Sequence, residues 1–178
     1  MLATLSSLRI RNLALVDQLE WSLGPGTTAI TGETGSGKSI IVGALKLVLG
    51  ERADKTLIRT GADSCTVEAI FEVKNTNALN SELEDQGVEP CEDGQLLIKR
   101  VFSASGTNRQ FINGSATTLA VLKELGDGLV DLHGPHDHQS LLSSEKQLDL
   151  LDAYANAETL RDEYESVWRR LHQIKAER

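Results

Sequence analysis

Residues 32–39 read Gly32-Glu-Thr-Gly-Ser-Gly-Lys-Ser39. The spacing Gly-x-x-x-x-Gly-Lys-Ser is the Walker A pattern of a phosphate-binding loop. The glycines of such a loop let the backbone wrap with its N–H groups pointing at phosphate oxygens. Lys38 supplies a cation for the β- and γ-phosphates, and the Ser39 hydroxyl suits Mg²⁺. The motif therefore predicts ATP and Mg²⁺ as cofactors.

The flanking residues suit this loop. Residues 27–31 form a β-prone run before it, and residues 40–49 are apolar at nearly every position. This pattern predicts a buried helix that ends at a Gly50 cap. About thirty residues precede the loop. They predict an antiparallel β arm, with strands at 4–10 and 13–21 and a turn at Arg11-Asn12.

Alternating and apolar runs predict the elements that follow the loop. Strands are expected at 66–73, 95–102, 109–112 and 128–132, helices at 78–86 and 117–125, and a hairpin turn at Asn113-Gly114. Residues 133–140 form a polar loop with three histidines. Leu129-Val130-Asp131 is the nearest candidate for a Walker B strand, but no acidic base follows Asp131. We therefore interpret it as an ordinary core strand.

The C-terminal part follows a different period. Apolar residues recur at spacings of 3 and 4, at Leu150, Ala153, Ala157, Leu160, Tyr164, Val167, Leu171 and Ile174. Such a narrow seam is typical of a coiled coil. The pattern favours an emerging coiled-coil helix over 150–178 after a domain at 1–149, and a terminal helix packed on its own domain is the alternative.

Charge and composition exclude several classes of protein. The chain has 178 residues and a net charge of −8. Residues 1–60 carry seven Lys/Arg and five Asp/Glu, a net of +2, so residues 61–178 carry −10. A chain this acidic does not coat nucleic acid by bulk charge. The sequence has no stretch of 18 apolar residues and no secretory signal pattern, and Cys65 and Cys91 form no CxxC pair. We expect a cytoplasmic protein without a membrane partner.

Four stretches carry a family resemblance. They are residues 10–17 (Ile-Arg-Asn-Leu-Ala-Leu-Val-Asp), 30–40 around the Walker A motif, 49–53 (Leu-Gly-Glu-Arg-Ala) and 130–141 (Val-Asp-Leu-His-Gly-Pro-His-Asp-His-Gln-Ser-Leu). Together they resemble the RecN family of bacterial DNA repair proteins, which are SMC-like ATPases of the ABC class. The resemblance covers about residues 1–150. One departure is Pro135, where that family is expected to have Gln.

The resemblance implies an α/β fold. It is that of a P-loop NTPase half-head of the ABC/SMC type, with an N-terminal antiparallel β lobe and an emerging coiled-coil helix. The sequence lacks three further motifs of such a head: a Ser-Gly-Gly signature loop, a Walker B strand ending in Asp-Glu and a switch His. In the SMC plan these parts lie beyond a long coiled coil. Residues 1–149 are then the N-terminal half of an ATPase head.

Function and partners follow from the same resemblance. The expected function is that of an ATPase in double-strand-break repair and recombination, with ATP-driven head engagement on DNA at the nucleoid. The expected partners are the C-terminal half of the head, a second head in a homodimer, and double-stranded DNA ends. Two other hypotheses are a self-sufficient P-loop kinase or GTPase, and a non-catalytic coiled-coil scaffold with a structural nucleotide site.

The candidate site residues combine the motif with the resemblance. The nucleotide-binding set comprises the loop and the adenine side, namely Gly32, Glu33, Thr34, Gly35, Ser36, Gly37, Lys38, Ser39, Ile40, Arg11 and Asn12. Lys38, Gln139, His133 and Arg59 are the catalytic candidates, and Ser39 and Gln139 the Mg²⁺ ligands. A structural metal site or a solvated loop are the alternatives for His133, His136 and His138. Arg52, Lys55 and Arg59 form a basic loop, which is either solvated or contacts phosphate.

Overall fold

The computed structural model of the chain describes residues 3–33, 37–130, 132 and 144–176. The chain forms two compact units, residues 1–130 and 131–178. The predicted boundary between a head segment and a coiled coil, at 149/150, stays a prediction.

In its described residues, the first unit combines a sheet with three helices. Its strands are β1 (Ala3–Leu13), β2 (Val16–Ser22), β3 (Ser64–Val73), β4 (Gln95–Ser103), β5 (Asn108–Ile112) and β6 (Ser115–Thr117). Its helices are α1 (Lys38–Val48), α2 (Asn77–Asp85) and α3 (Leu119–Leu129), with a short 3₁₀ turn at Lys55–Leu57. These elements confirm the predicted strands at 66–73, 95–102 and 109–112 and the predicted helix at 78–86.

All six strands join one antiparallel sheet, in the order β2-β1-β3-β4-β5-β6. Alternation gives the sheet one buried face and one half-exposed face. The buried face carries apolar side chains from β1, β3 and β4, namely Leu8, Ile10, Val67, Ala69, Phe71, Leu96 and Ile98. Helix α1 lies against the same three strands. The helix that follows the phosphate loop is therefore held by the antiparallel sheet.

Helix α1 ends as its sequence predicts. Gly50 has a φ of 97°, and its N–H donates to Leu47 O at 3.2 Å, while the Glu51 N–H donates to Lys46 O at 3.1 Å. These two bonds form a Schellman motif, which needs a left-handed residue and so favours glycine. Helix α3 crosses close to this end, because an ideal Cβ on Gly126 would lie only 2.4 Å from Leu49 O.

The structure differs from the prediction in two features: the segment 27–31 before the phosphate loop, and the burial of α1. Residues 27–31 form no strand, and Ile30 is 42% exposed. A β-prone run becomes a strand only beside a partner, and no described strand pairs with this one. The prediction that α1 is buried on nearly every side is also wrong. The sheet covers one face, with Ala44, Leu47 and Val48, and leaves Val42 45% exposed.

The predicted strand at 128–132 is wrong over its described residues. Helix α3 continues through Gly128 and Leu129 before the chain becomes extended at Val130. A run of five mostly apolar residues fits a buried helix as well as a buried strand. The helix starts where Thr118 caps it, because the Thr118 side chain accepts a hydrogen bond from the Val121 N–H at 3.3 Å.

The two predicted hairpin turns have different outcomes. The turn at Asn113-Gly114 is confirmed, with φ angles of 49° and 84°. The turn predicted at Arg11-Asn12 lies instead at Ala14-Leu15, because Leu13 pairs with Val16. Asn12 does take a left-handed φ of 55°, and its side-chain amide donates to Ser64 O at 3.1 Å. The predicted turn position is therefore wrong, because strand β1 continues through Asn12 to Leu13.

The second unit contains α4 (Ser144–Ala155) and α5 (Glu158–Ala176). The predicted seam from Leu150 to Ile174 is not one continuous helix. Asn156 has a φ of 52°, and the Ala157 N–H donates to Asp152 O at 2.8 Å. This is another Schellman-type ending, with asparagine as the left-handed residue. The heptad spacing therefore passes through a break between Ala153 and Leu160.

Candidate functional site

The N-terminus of α1 ends the predicted phosphate loop. Gly37 is its N-cap, with a φ of 94°, and no side chain of the described residues caps this end of the helix. The first turn contains no acidic residue. An uncapped helix start presents backbone N–H groups and the positive end of the helix dipole, which together favour an anion. This end of α1 therefore suits phosphate oxygens.

Lys38 is the cation of this site. Its Nζ donates to Glu33 O at 2.7 Å and also to Gly32 O. The side chain thus folds back over the start of the loop, and its ammonium group stays beside the backbone that would surround a phosphate. Because lysine carries a compact charge on a flexible stem, the ammonium can exchange these carbonyls for phosphate oxygens.

A cavity of about 250 Å³ runs along α1. Ser39 and Ile40 line it from the first turn of the helix, and Leu13, Ala14 and Leu57 line it from the β1–β2 hairpin and the 3₁₀ turn. Arg52 lies at its rim. Its wall is mainly apolar, which suits the flat face of a nucleobase more than it suits a phosphate.

Arg59 braces the tip of the β1–β2 hairpin. Its Nη1 donates to Leu15 O at 2.8 Å, and its backbone N–H donates to Asn12 O at 2.9 Å. The Ala14 N–H donates to Leu57 O at 2.7 Å in the same region. The structure therefore places Arg59 at the hairpin tip, and Arg59 is not among the residues that line the cavity.

The two adenine-side candidates, Arg11 and Asn12, follow each other in β1, and neither lines the cavity along α1. The Asn12 side chain faces Ser64, while exposed Arg11 lies on the outer face of the sheet. That face carries a concavity of about 310 Å³, which Arg9 and Lys99 also line. Arg9 bonds Glu20 at 2.8 Å there, and this hydrogen bond raises the pKa of Arg9.

Several candidates lie outside the described residues. In the loop these are Thr34, Gly35 and Ser36. In the polar loop they include the catalytic candidates His133 and Gln139, together with Pro135, His136 and His138. Their roles in catalysis, metal binding and Mg²⁺ sensing stay predictions.

Sequence reasoning missed Arg100. It is fully buried on β4, and its Nη1 donates to Leu47 O at 2.7 Å and to Glu51 O, at the C-terminal end of α1. The alternation of β4 was a signal for this burial, because Leu96, Ile98 and Phe102 share its face. Burial lowers the pKa of the Arg100 guanidinium.

A family model described as "AAA domain" matches residues 7–177. The chain belongs to this family. Membership implies that the chain binds nucleotide, in agreement with the Walker A motif at the start of α1. In the part of the chain that the structure describes, no helix is long and apolar enough to cross a membrane.

Curated relatives give a finer likeness. The chain is 43% identical over 151 residues to the DNA repair protein RecN of Vibrio cholerae, which covers 85% of this chain and 27% of that protein. It is 40% identical over 172 residues to RecN of Streptomyces coelicolor, covering 96% of this chain and 30% of that protein. The chain thus spans less than a third of the length of these two relatives. The resemblance to the RecN family is confirmed.

Solved structures show the same fold. A structure from work on ATP-driven dimerization and DNA-stimulated activation of SMC ATPases matches with a TM-score of 0.56 and 21% identity, covering 73% of this chain and 86% of that one. The SMC head domain of Thermotoga maritima matches with a TM-score of 0.53 and 25% identity, covering 68% and 41%. These likenesses confirm the predicted α/β fold of the SMC head class.

Proposed function

We propose that this chain is the ATP-binding half of an SMC-like ATPase head that acts in DNA double-strand-break repair and recombination. The uncapped start of α1, with Lys38 folded over it, is the observation that carries the proposal. The similarity to RecN of Vibrio cholerae, a DNA repair protein, supports the cellular role. The chain would act in the cytoplasm, at the nucleoid.

Each residue of the site has a role toward ATP. The backbone around Gly32 and Gly37 binds phosphate oxygens, and Lys38 donates to the β- and γ-phosphates. The cavity beside Ile40 receives the base. Ser39 is exposed at the first turn of α1, where its hydroxyl can serve as a ligand for Mg²⁺. A bound Mg²⁺ would balance charge on the phosphates.

Hydrolysis needs groups that the described residues do not bring together at this site. A carboxylate must orient water, and a further donor must stabilise charge on the γ-phosphate. No described carboxylate lies at the cavity except that of Glu51, near the far end of α1. We assign the carboxylate to the C-terminal half of the head, and we assign auxiliary roles to Gln139, His133 and Arg59.

Exposed apolar side chains support the proposal that the other half of the head packs against this chain. Ile30, just before the loop, is 42% exposed, and Val42 on α1 is 45% exposed. Both belong to segments that would be buried if further chain packed on the free side of α1. In the second unit, α5 exposes Leu160, Tyr164 and Ile174, which suits a coiled-coil partner helix.

The further partners are a second head and DNA. One solved structure with this fold comes from work on ATP-driven dimerization and DNA-stimulated activation of SMC ATPases. By analogy with that work, we propose a homodimer of heads that acts on double-stranded DNA ends. The net charge of −10 over residues 61–178 argues that any DNA contact is local. Arg52 and Lys55 are candidates for such a contact.

A nucleotide titration tests the proposal. ATP with Mg²⁺ should bind the chain measurably by isothermal titration calorimetry, and Lys38→Ala should weaken the affinity about ten- to hundred-fold, because a charge-assisted contact is worth about 1.5–3 kcal/mol. Lys74→Ala is a matched control, since Lys74 is exposed and follows Val73, which pairs with Ala3 at the opposite end of β1 from Leu13 and the cavity. Equal affinity in the wild-type and Lys38→Ala chains would refute the phosphate-loop assignment.

A further inference from the structure

Arg100 is the one charged side chain that is fully buried among the described residues. It projects from β4 toward the same side of the sheet as Leu96 and Ile98. Burying a guanidinium removes its hydration, and this is expensive unless its donors find acceptors. The hydrogen-bond acceptors of Arg100 therefore indicate the role of its side chain.

Those acceptors are neutral, and two of them belong to the end of α1. Nη1 donates to Leu47 O at 2.7 Å and to Glu51 O, and Nη2 donates to Asn108 Oδ1 at 3.1 Å. Helix α1 ends at Val48, so the first two acceptors lie on either side of its C-terminus. The carbonyls at a helix C-terminus carry partial negative charge, which a buried cation stabilises.

The anchoring is directional. Arg100 is fixed on β4 between Val67 of β3 and Gln110 of β5 in the register of the sheet. Its Nε has no partner, and neither does the buried Oε1 of Gln110 on the neighbouring strand. An apolar side chain would avoid this cost but would hold α1 only by contacts that allow sliding. Hydrogen bonds from a planar guanidinium fix both distance and orientation.

The other end of α1 carries the phosphate loop. A helix of 11 residues is a rigid rod about 16 Å long, so fixing one end sets the position of the other. We propose that Arg100 is a positioning residue for the phosphate loop, because it anchors the C-terminal end of α1 to the sheet and so sets the placement of Gly37 and Lys38. This inference rests on the proposed nucleotide site for its ligand.

Two variants of Arg100 test this role. Arg100→Met keeps the length of the side chain but removes every donor, and Arg100→Lys keeps the charge but loses the planar fork. Leu83→Ala is the control, because Leu83 is buried on α2 and its truncation lowers stability away from α1. The readouts are ATP affinity by calorimetry and amide exchange of Ile40 and Ile41, whose N–H groups donate to Gly37 O in the first turn of α1.

Arg100→Met should weaken ATP affinity by about 2- to 30-fold, the range found for residues that couple a site through a packed network. It should also speed exchange at Ile40 and Ile41, far from the lost bonds, and Arg100→Lys should fall between it and the wild type. Leu83→Ala should lose stability without changing either readout. Wild-type affinity and wild-type first-turn exchange in Arg100→Met would reduce Arg100 to a structural role and overturn the inference.

The outcomes separate the two proposals. If the wild-type chain binds no ATP, the proposed function fails, and the exchange of Ile40 and Ile41 alone decides the role of Arg100. If Arg100→Met does not fold, Arg100→Lys decides. Faster first-turn exchange in that variant supports the positioning role, and unchanged exchange overturns it.

Discussion

Replacing Gly126 with alanine should destabilise the first unit, whereas the same change at Gly128 should not. Both glycines lie in α3. A Cβ at position 126 would meet Leu49 O at 2.4 Å and the Leu49 carbonyl carbon at 3.0 Å, but a Cβ at position 128 has nothing within 4 Å. The backbone of residue 126 fixes the position of the Cβ, and the atoms that it meets belong to the backbone of Leu49, so no rotamer change relieves the clash.

The two substitutions should change the free energy of unfolding in opposite directions. Overpacking costs about 1–3 kcal/mol, and a backbone clash at 2.4 Å belongs at the upper end. Replacing glycine with alanine inside a helix stabilises the helix by about 1 kcal/mol. Gly126→Ala should therefore lower the free energy of unfolding by about 2 kcal/mol, and Gly128→Ala should raise it by roughly 0.5–1 kcal/mol.

Thermal and urea unfolding of the two variants measure this difference. At about 2–4 °C per kcal/mol for a chain of this size, the two midpoints should lie roughly 5–12 °C apart. Equal shifts of the same sign would refute the close approach of α3 to the end of α1. Gly50 gives an independent check, because a Cβ there would lie 2.6 Å from the Lys123 Cα at a φ of 97°. Gly50→Ala should be at least as destabilising as Gly126→Ala.

Two further predictions concern a buried thiol and the second unit. Burial raises the pKa of Cys65 to about 12, above an unfolded value of about 8.5, so the folded state keeps a proton that the unfolded state loses. Stability should then fall by up to about 1.4 kcal/mol per pH unit as pH rises above about 8.5, and Cys65→Ala should show a shallower slope in urea unfolding at pH 8–10.5. Helix α5 exposes its apolar seam, so amide exchange over 160–174 should be rapid in the isolated chain and should slow when an antiparallel partner helix is added. Strong protection without a partner would contradict the coiled-coil interpretation.

The parts of the fold that follow from local periodicity were predictable. The alternation in 66–73 and 95–102 specifies a half-buried strand, and Asn113-Gly114 specifies the turn of a hairpin. The Walker A spacing likewise places a helix directly after the loop, and α1 begins at Lys38. In each case the signal lies within a few residues of the feature that it predicts.

The parts that depend on distant chain were not predictable. Residues 27–31 have β propensity, but they form no strand because no described strand pairs with them. The acceptors of Arg100 lie 53 and 49 residues away in sequence, so no local pattern indicates them. The helix break at Asn156 was not predicted, because the spacing of apolar residues does not indicate where a single residue takes a left-handed conformation.

The most direct test of the split-head account is steady-state phosphate release from ATP. This chain should show negligible turnover alone and regain activity when the C-terminal half of the head is supplied as a separate polypeptide, and Lys38→Ala should abolish the restored activity. We assign phosphate binding to the loop and Lys38, and we assign the carboxylate that orients water to the other half of the head. Multiple turnovers by this chain alone, lost in Lys38→Ala, would contradict the account and favour a self-sufficient kinase or GTPase.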